Sequence, residues 1–146
     1  MQKIPRGIRN NNPGNIRISG DNWQGLSRPQ LDQEFFQFTG PEWGVRALAK
    51  ILLTYQNRYH RHTIRQIIAR WAPPTENDTM AYIKAVARDT GFGEDQPLDL
   101  RRVEHITPLI RAIIRHENGQ QPYMADVIAK GIGMAGIYAQ RQTENR

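Results

Sequence analysis

At 146 residues the chain is long enough for one domain with a substantial core and short for two. It holds no cysteine, which excludes disulfides, thiolate metal sites and a thiolate nucleophile, and no apolar run approaches membrane-spanning length. The formal net charge of +6 is carried mostly by arginine, since Lys3, Lys50, Lys84 and Lys130 are the only lysines. Such a surface favours polyanions, either nucleic acid or an anionic cell-wall polymer. Met1 to Gly7 contains no apolar segment of the secretory kind, so synthesis in the cytoplasm and transport by some other route are expected.

Residues 1–15 are rich in Asn, Gly and Pro, and Arg9-Asn10-Asn11-Asn12-Pro13-Gly14-Asn15 reads as a structured loop or a flexible arm. Its amides, with both donors and acceptors, also suit sugar hydroxyls and acetamido groups. Three short strand-like pieces follow: Asn15 to Ile18, Trp23 to Leu26 and Phe35 to Phe38. A small antiparallel β region near the N-terminus is therefore expected, with Ser19-Gly20-Asp21-Asn22 as a hairpin loop. Trp23 is either a packing anchor or a platform for a sugar ring.

From Pro41 to about Asn57 the spacing predicts a long helix, burying Val45, Leu48, Ala49, Ile51, Leu52 and Tyr55, as the central helix of the core. Arg58-Tyr59-His60-Arg61-His62 reads as a solvated basic link, because no further ligand follows its two histidines at metal-binding spacing. Helices are then expected over Ile64 to Trp71, begun by Thr63, and over Met80 to Thr90, capped by Asp78 or Thr79. A stretch over Leu100 to Ile106, capped by Asp99, precedes a restart at Thr107-Pro108. A last amphipathic helix should run from Pro122 to about Gln140, with Gly131, Gly133 and Gly136 marking a close approach or a break. The tail from about Arg141 should fray, leaving one domain over residues 1–146.

The restarted helix, Leu109 to Asn118, carries the sharpest chemical signal. Its apolar residues recur at helical spacing, Gly119 closes it, and Glu117 stands in its final turn. The helix macrodipole disfavours a second negative charge there, so Glu is an unusual choice. A solvated Glu beside Arg115 is the ordinary alternative to a general acid of the kind that glycoside cleavage requires.

Ile113-Ile114-Arg115-His116-Glu117-Asn118-Gly119 is similar to the helix-end Glu-Ser-Gly signature of lytic transglycosylases and related muramidases, with Asn in place of Ser. Asn11 to Arg17, Trp23-Gln24-Gly25 and Phe36-Gln37-Phe38 resemble segments of bacterial cell-wall glucosaminidases. The opening, Arg6-Gly7-Ile8-Arg9-Asn10-Asn11-Asn12-Pro13-Gly14-Asn15-Ile16, also looks like that of small phage virion-associated or prophage proteins. In the lysozyme superfamily the Glu helix precedes the sheet, whereas here it follows, an order that circular permutation would reconcile.

The resemblance implies a mainly α, α+β lysozyme-like fold that cleaves the β-1,4 bond between N-acetylmuramic acid and N-acetylglucosamine. It assigns general acid/base catalysis to Glu117, and a second carboxylate to Asp32, with Asp21 and Glu34 as alternatives. Asn15, Trp23, Tyr82 and Gln120 are the candidate substrate-binding residues. If no second carboxylate is close, the substrate's acetamido group substitutes and a 1,6-anhydro product results. Neither route needs a metal or cofactor. Peptidoglycan is the expected partner, with other virion or delivery proteins, for a monomer that does not insert into membranes. The competing readings are a basic virion structural or nucleic-acid-binding protein and a wall-binding module without activity. The dispersal of basic residues along amphipathic helices argues against nucleic acid.

Overall fold

The computed structural model describes residues 3–139, and the tail expected from Arg141 lies outside them. Among the described residues there are six helices: α1 Arg6–Arg9, α2 Pro41–Tyr59, α3 Ile64–Trp71, α4 Thr79–Thr90, α5 Val103–Asn118 and α6 Ala125–Met134. Local chemistry accounts for most of their ends. Pro41 occupies the first turn of α2, and His60, in the left-handed conformation, closes it. Thr63 and Gln66 form a reciprocal capping box on α3. The Asp78 side chain accepts the Ala81 N–H at 3.1 Å to start α4.

The α5 helix differs from the sequence reading, which broke it at Thr107-Pro108. Pro108 lies inside one continuous helix, where it cannot donate to the carbonyl four residues back, on the exposed Glu104. Interior proline costs about 3 kcal/mol. Ile106, Leu109 and Ile110 are fully buried around it, and each such side chain contributes about 1.5–3 kcal/mol. Burial therefore outweighs the proline. The turn before α5 is not the helix expected from Leu100; Asp99 instead accepts the Arg101 N–H at 3.1 Å and the Gln56 amide at 3.0 Å.

The α5 helix packs against α1, α2, α4 and α6, and so takes the central place that the apolar pattern gave to α2. Its Ile113 and Ile114 share one buried cluster with Leu48 and Leu52 of α2 and Ile83 of α4. The α6 helix is shorter than expected at both ends and lies along α2. Gly131 permits that approach, because a methyl group there would stand 2.5 Å from the Val45 side chain.

The expected N-terminal β region is not formed. Only two isolated bridges, Arg17 with Phe35 and Leu26 with Phe38, join the extended segments. Side chains there bond backbone groups that a ladder would otherwise pair. The buried Asn12 amide donates to the carbonyls of Ile16 and Phe36, both at 2.9 Å, while its oxygen accepts the Ile16 N–H at 2.9 Å. Gln30 donates to Gln37 O and accepts from Gln37 N, at 2.7 and 2.8 Å. The aromatic and branched residues that suggested strands bury Ile16, Phe36 and Phe38 in the core instead.

Replacing Asn12 by Ala should strand two buried backbone groups, the Ile16 N–H and the Phe36 carbonyl, since the Ile16 carbonyl keeps the Phe36 N–H at 3.1 Å, and lower unfolding stability by about 2–3 kcal/mol. Urea denaturation measures this, and an unchanged midpoint would show that the amide is dispensable.

Candidate functional site

The end of α5 meets the asparagine-rich N-terminal loop. Asn118 donates through Nδ2 to the Pro13 carbonyl at 2.8 Å and to the Ile114 carbonyl of its own helix at 2.9 Å. Gly7 in α1 makes the fit possible, since a methyl group there would meet Asn118 Oδ1 at 2.5 Å and Asn15 Oδ1 at 2.7 Å. Asn11 and Asn15 turn the loop through positive φ, at 52° and 51°, a conformation that asparagine tolerates better than most residues.

That junction puts Asn15 beside Glu117. Asn15 Nδ2 donates to Glu117 Oε1 at 3.1 Å, and the Tyr82 hydroxyl of α4 donates to Glu117 Oε2 at 2.8 Å. Trp71, the last residue of α3, in turn donates through Nε1 to the Tyr82 oxygen at 3.1 Å. Burial raises the Tyr82 hydroxyl well above its ordinary range, and the Glu117 charge and hydrogen bond add to that, with only Trp71 acting the other way. Tyr82 therefore keeps its proton and serves as a donor to the carboxylate. His116 stacks on the Tyr82 ring with centroids 3.7 Å apart.

Glu117 lines two hollows. The first, of about 290 Å³, is bordered by Asn15, Arg17 and Phe35 on one side and by Ile51, Tyr55 and Trp71 on the other. The second is bordered by Asn77, Asp78, Ala81, Tyr82 and His116. Asn77 also borders the first, so the two adjoin across Glu117. Among the described residues, the other acids on these walls are Glu76, 4.0 Å from Arg17, and Asp78, which caps α4. No three His, Asp or Glu side chains among the described residues gather as a metal site requires. No described helix is long and apolar enough to cross a membrane.

Of the residues singled out from sequence, Glu117, Asn15 and Tyr82 come together. Asp32 does not join them. It accepts from Arg6 Nε at 2.8 Å and Nη2 at 2.7 Å, from Asn10 at 3.0 Å, and from the backbone N–H groups of Glu34 and Phe35 at 2.8 and 3.0 Å. Its oxygens are thus committed to bracing the loop rather than aimed into the groove. Glu34 is exposed and pairs with Arg6, while Asp21 is exposed and bonds Ser19. Trp23 packs against the core and borders neither hollow, and Gln120 is exposed beyond Gly119. Sequence reasoning missed Trp71, His116 and the Asn118 clasp. Trp71 looked like a helix end, and nothing in its spacing links it to Tyr82.

The chain is 46% identical over 134 residues to Protein P5 of Pseudoalteromonas phage PM2, an alignment covering 90% of this chain and 82% of that protein. It belongs to the P5 family. No protein-family model matches it. The assignment to a family with a bacteriophage member rests on overall identity along most of the chain.

The Arg6 guanidinium, followed by Asn10 and the two backbone N–H groups, holds the Asp32 carboxyl well below the usual carboxylate range, against the opposing effect of burial. The folded value lies below the unfolded one, so the stabilisation is complete at neutral pH and fades as the pH falls through the ordinary aspartate range and below it. Asp32→Asn should therefore be less stable than wild type at neutral pH and should flatten the fall in melting temperature between about pH 5 and about pH 2. Parallel slopes for the two proteins would remove Asp32 as the source.

Proposed function

We propose that this protein cleaves the glycan strands of peptidoglycan at the β-1,4 bond between N-acetylmuramic acid and N-acetylglucosamine, with Glu117 as the general acid/base. The observation that carries this reading is a single carboxylate at the end of a buried helix, held by the neutral donors Asn15 and Tyr82 at the meeting of two hollows. A bond lying across Glu117 would have sugar on both sides. Glu117 would protonate the leaving oxygen and then take a proton back.

The commitments of Asp32 to Arg6 and of Asp78 to α4, together with the pairing of the exposed Glu76 with Arg17, favour a route with one protein carboxylate. In that route the acetamido oxygen of N-acetylmuramic acid attacks its own anomeric carbon as the glycosidic bond breaks. Glu117 then removes the proton from the C6 hydroxyl, whose oxygen displaces the acetamido group and closes a 1,6-anhydro ring. No water is consumed. This is the chemistry of a lytic transglycosylase. Membership of a family with a phage member suits an enzyme carried by a virus particle to a bacterial wall.

Digestion of purified peptidoglycan with mass spectrometry of the soluble sugars tests the proposal. Wild type should release 1,6-anhydro products, and Glu117→Gln should lower the rate by about 10²–10⁴-fold while retaining the fold. Reducing ends in place of anhydro ends would make it a hydrolase. Absence of any product on walls of several species would leave a basic phage protein without catalysis.

Tyr82 touches Glu117, so it is a positioning residue. Tyr82→Phe should reduce kcat by about tenfold with little change in KM, the cost of one hydrogen bond to a charged group. A change confined to KM would instead put Tyr82 in contact with substrate.

A further inference from the structure

Tyr55 borders the first hollow from α2, and so does Ile51, one helical turn earlier. Tyr59 lies one turn further on, so the three residues form a single stripe that leads out of the hollow to the end of the helix. At that end Arg70 of α3 sits over both rings, with its guanidinium carbon 3.7 Å from the Tyr59 centroid and 5.3 Å from that of Tyr55. Arg58 lies over the Tyr59 ring at 5.8 Å. Arg61 binds back to this corner through its backbone N–H, which donates to the Tyr55 carbonyl at 3.0 Å. The Arg70 and Arg61 charges both act on the Tyr55 hydroxyl, opposing the rise that burial causes.

These arginines differ from most others in the fold. Arg6, Arg65, Arg101 and Arg102 each hold an intramolecular carboxylate at 3.1 Å or less. Among the described residues, Arg58, Arg61 and Arg70 have no carboxylate within 4.0 Å. The aromatic faces orient the guanidinium groups of Arg58 and Arg70, while Arg61 Nη1 donates to the Gln66 carbonyl at 3.4 Å; none is claimed by an acid, an arrangement suited to accepting a carboxylate from outside. A helix-end arginine serving only the macrodipole would not need two tyrosines beneath it.

We infer that Arg70 and Arg58, presented on Tyr55 and Tyr59, form with the adjacent Arg61 a binding site for the free carboxylates of the stem peptides that branch from the glycan. The inference rests on the proposed function, because it is the glycan lying in the Glu117 hollow that would carry its peptide substituents along the Ile51–Tyr55–Tyr59 stripe. The site distinguishes peptide-bearing strands from bare ones. It also accounts for a cationic cluster beside a groove whose own saccharide would be nearly neutral.

The test compares glycan strands bearing stem peptides with strands stripped of them by an amidase, using wild type, Arg61→Gln/Arg70→Gln, and Arg28→Gln/Arg111→Gln, which removes equal charge elsewhere. On peptide-bearing strands the Arg61/Arg70 pair should raise KM by about tenfold with kcat little changed, and added salt should reproduce much of that loss in wild type. Naked strands, whose only carboxylates are the lactyl groups that the amidase frees beside the sugar ring, should be cut with the same KM by all three proteins, and Arg61→Lys/Arg70→Lys should recover part of the affinity. Equal losses on naked strands, or equal losses in the charge-matched control, would overturn the inference. So would weakened binding of duplex DNA by the Arg61/Arg70 pair with cleavage unaffected, which would assign the patch to nucleic acid. If wild type cuts neither strand, the glycan reading itself fails and takes this inference with it.

Discussion

The Asn118 side chain is the point on which the arrangement depends. By bonding the Pro13 carbonyl and its own helix at Ile114, it fastens the N-terminal loop to the end of α5. Asn15 then comes within reach of Glu117, and Gly7 fits beneath the two amide oxygens. Residues separated by about a hundred positions become one wall of a groove. The rest of the loop is braced by internal amides and carboxylates, with Asn12 and Asp32 each making several bonds that a larger protein would obtain from a regular sheet.

The chemistry around Glu117 follows from that bracing. Both of its oxygens accept hydrogen bonds from uncharged partners, Asn15 and Tyr82, which fix the orientation of the carboxylate. Tyr82 is itself oriented by Trp71 from below and by the His116 ring against its face. The arginines are divided accordingly. Arg6 and Arg65 neutralise acids that hold loops together, whereas Arg58 and Arg70 stand on tyrosines at the end of α2, with no acid against them.

Much of the helical frame was legible because its signals are local. Pro41, Thr63 and Asp78 mark helix starts, and Gly91 and Gly119 mark ends, through backbone conformation and capping bonds that need no distant residue. The N-terminal segment misled for the same reason. Ile16, Phe36 and Phe38 have the side chains of strands, but whether extended pieces become a sheet depends on what bonds their backbones, and here Asn12, Gln30 and Asp32 compete successfully. Pro108 misled because a local breaker was weighed without the burial on either side of it.

The sequence by itself determined the helices, the apolar faces that drive them together, and the position of one carboxylate in the last turn of α5, since each depends on neighbours within a few residues. Tertiary structure decided which acid faces a groove and which is spent on an ion pair. It separated Glu117 from Asp32, recruited Trp71 to Tyr82, and set Arg70 on Tyr55 and Tyr59. Those outcomes depend on contacts between distant parts of the chain, where a carboxylate's role is fixed by its partners rather than by its identity.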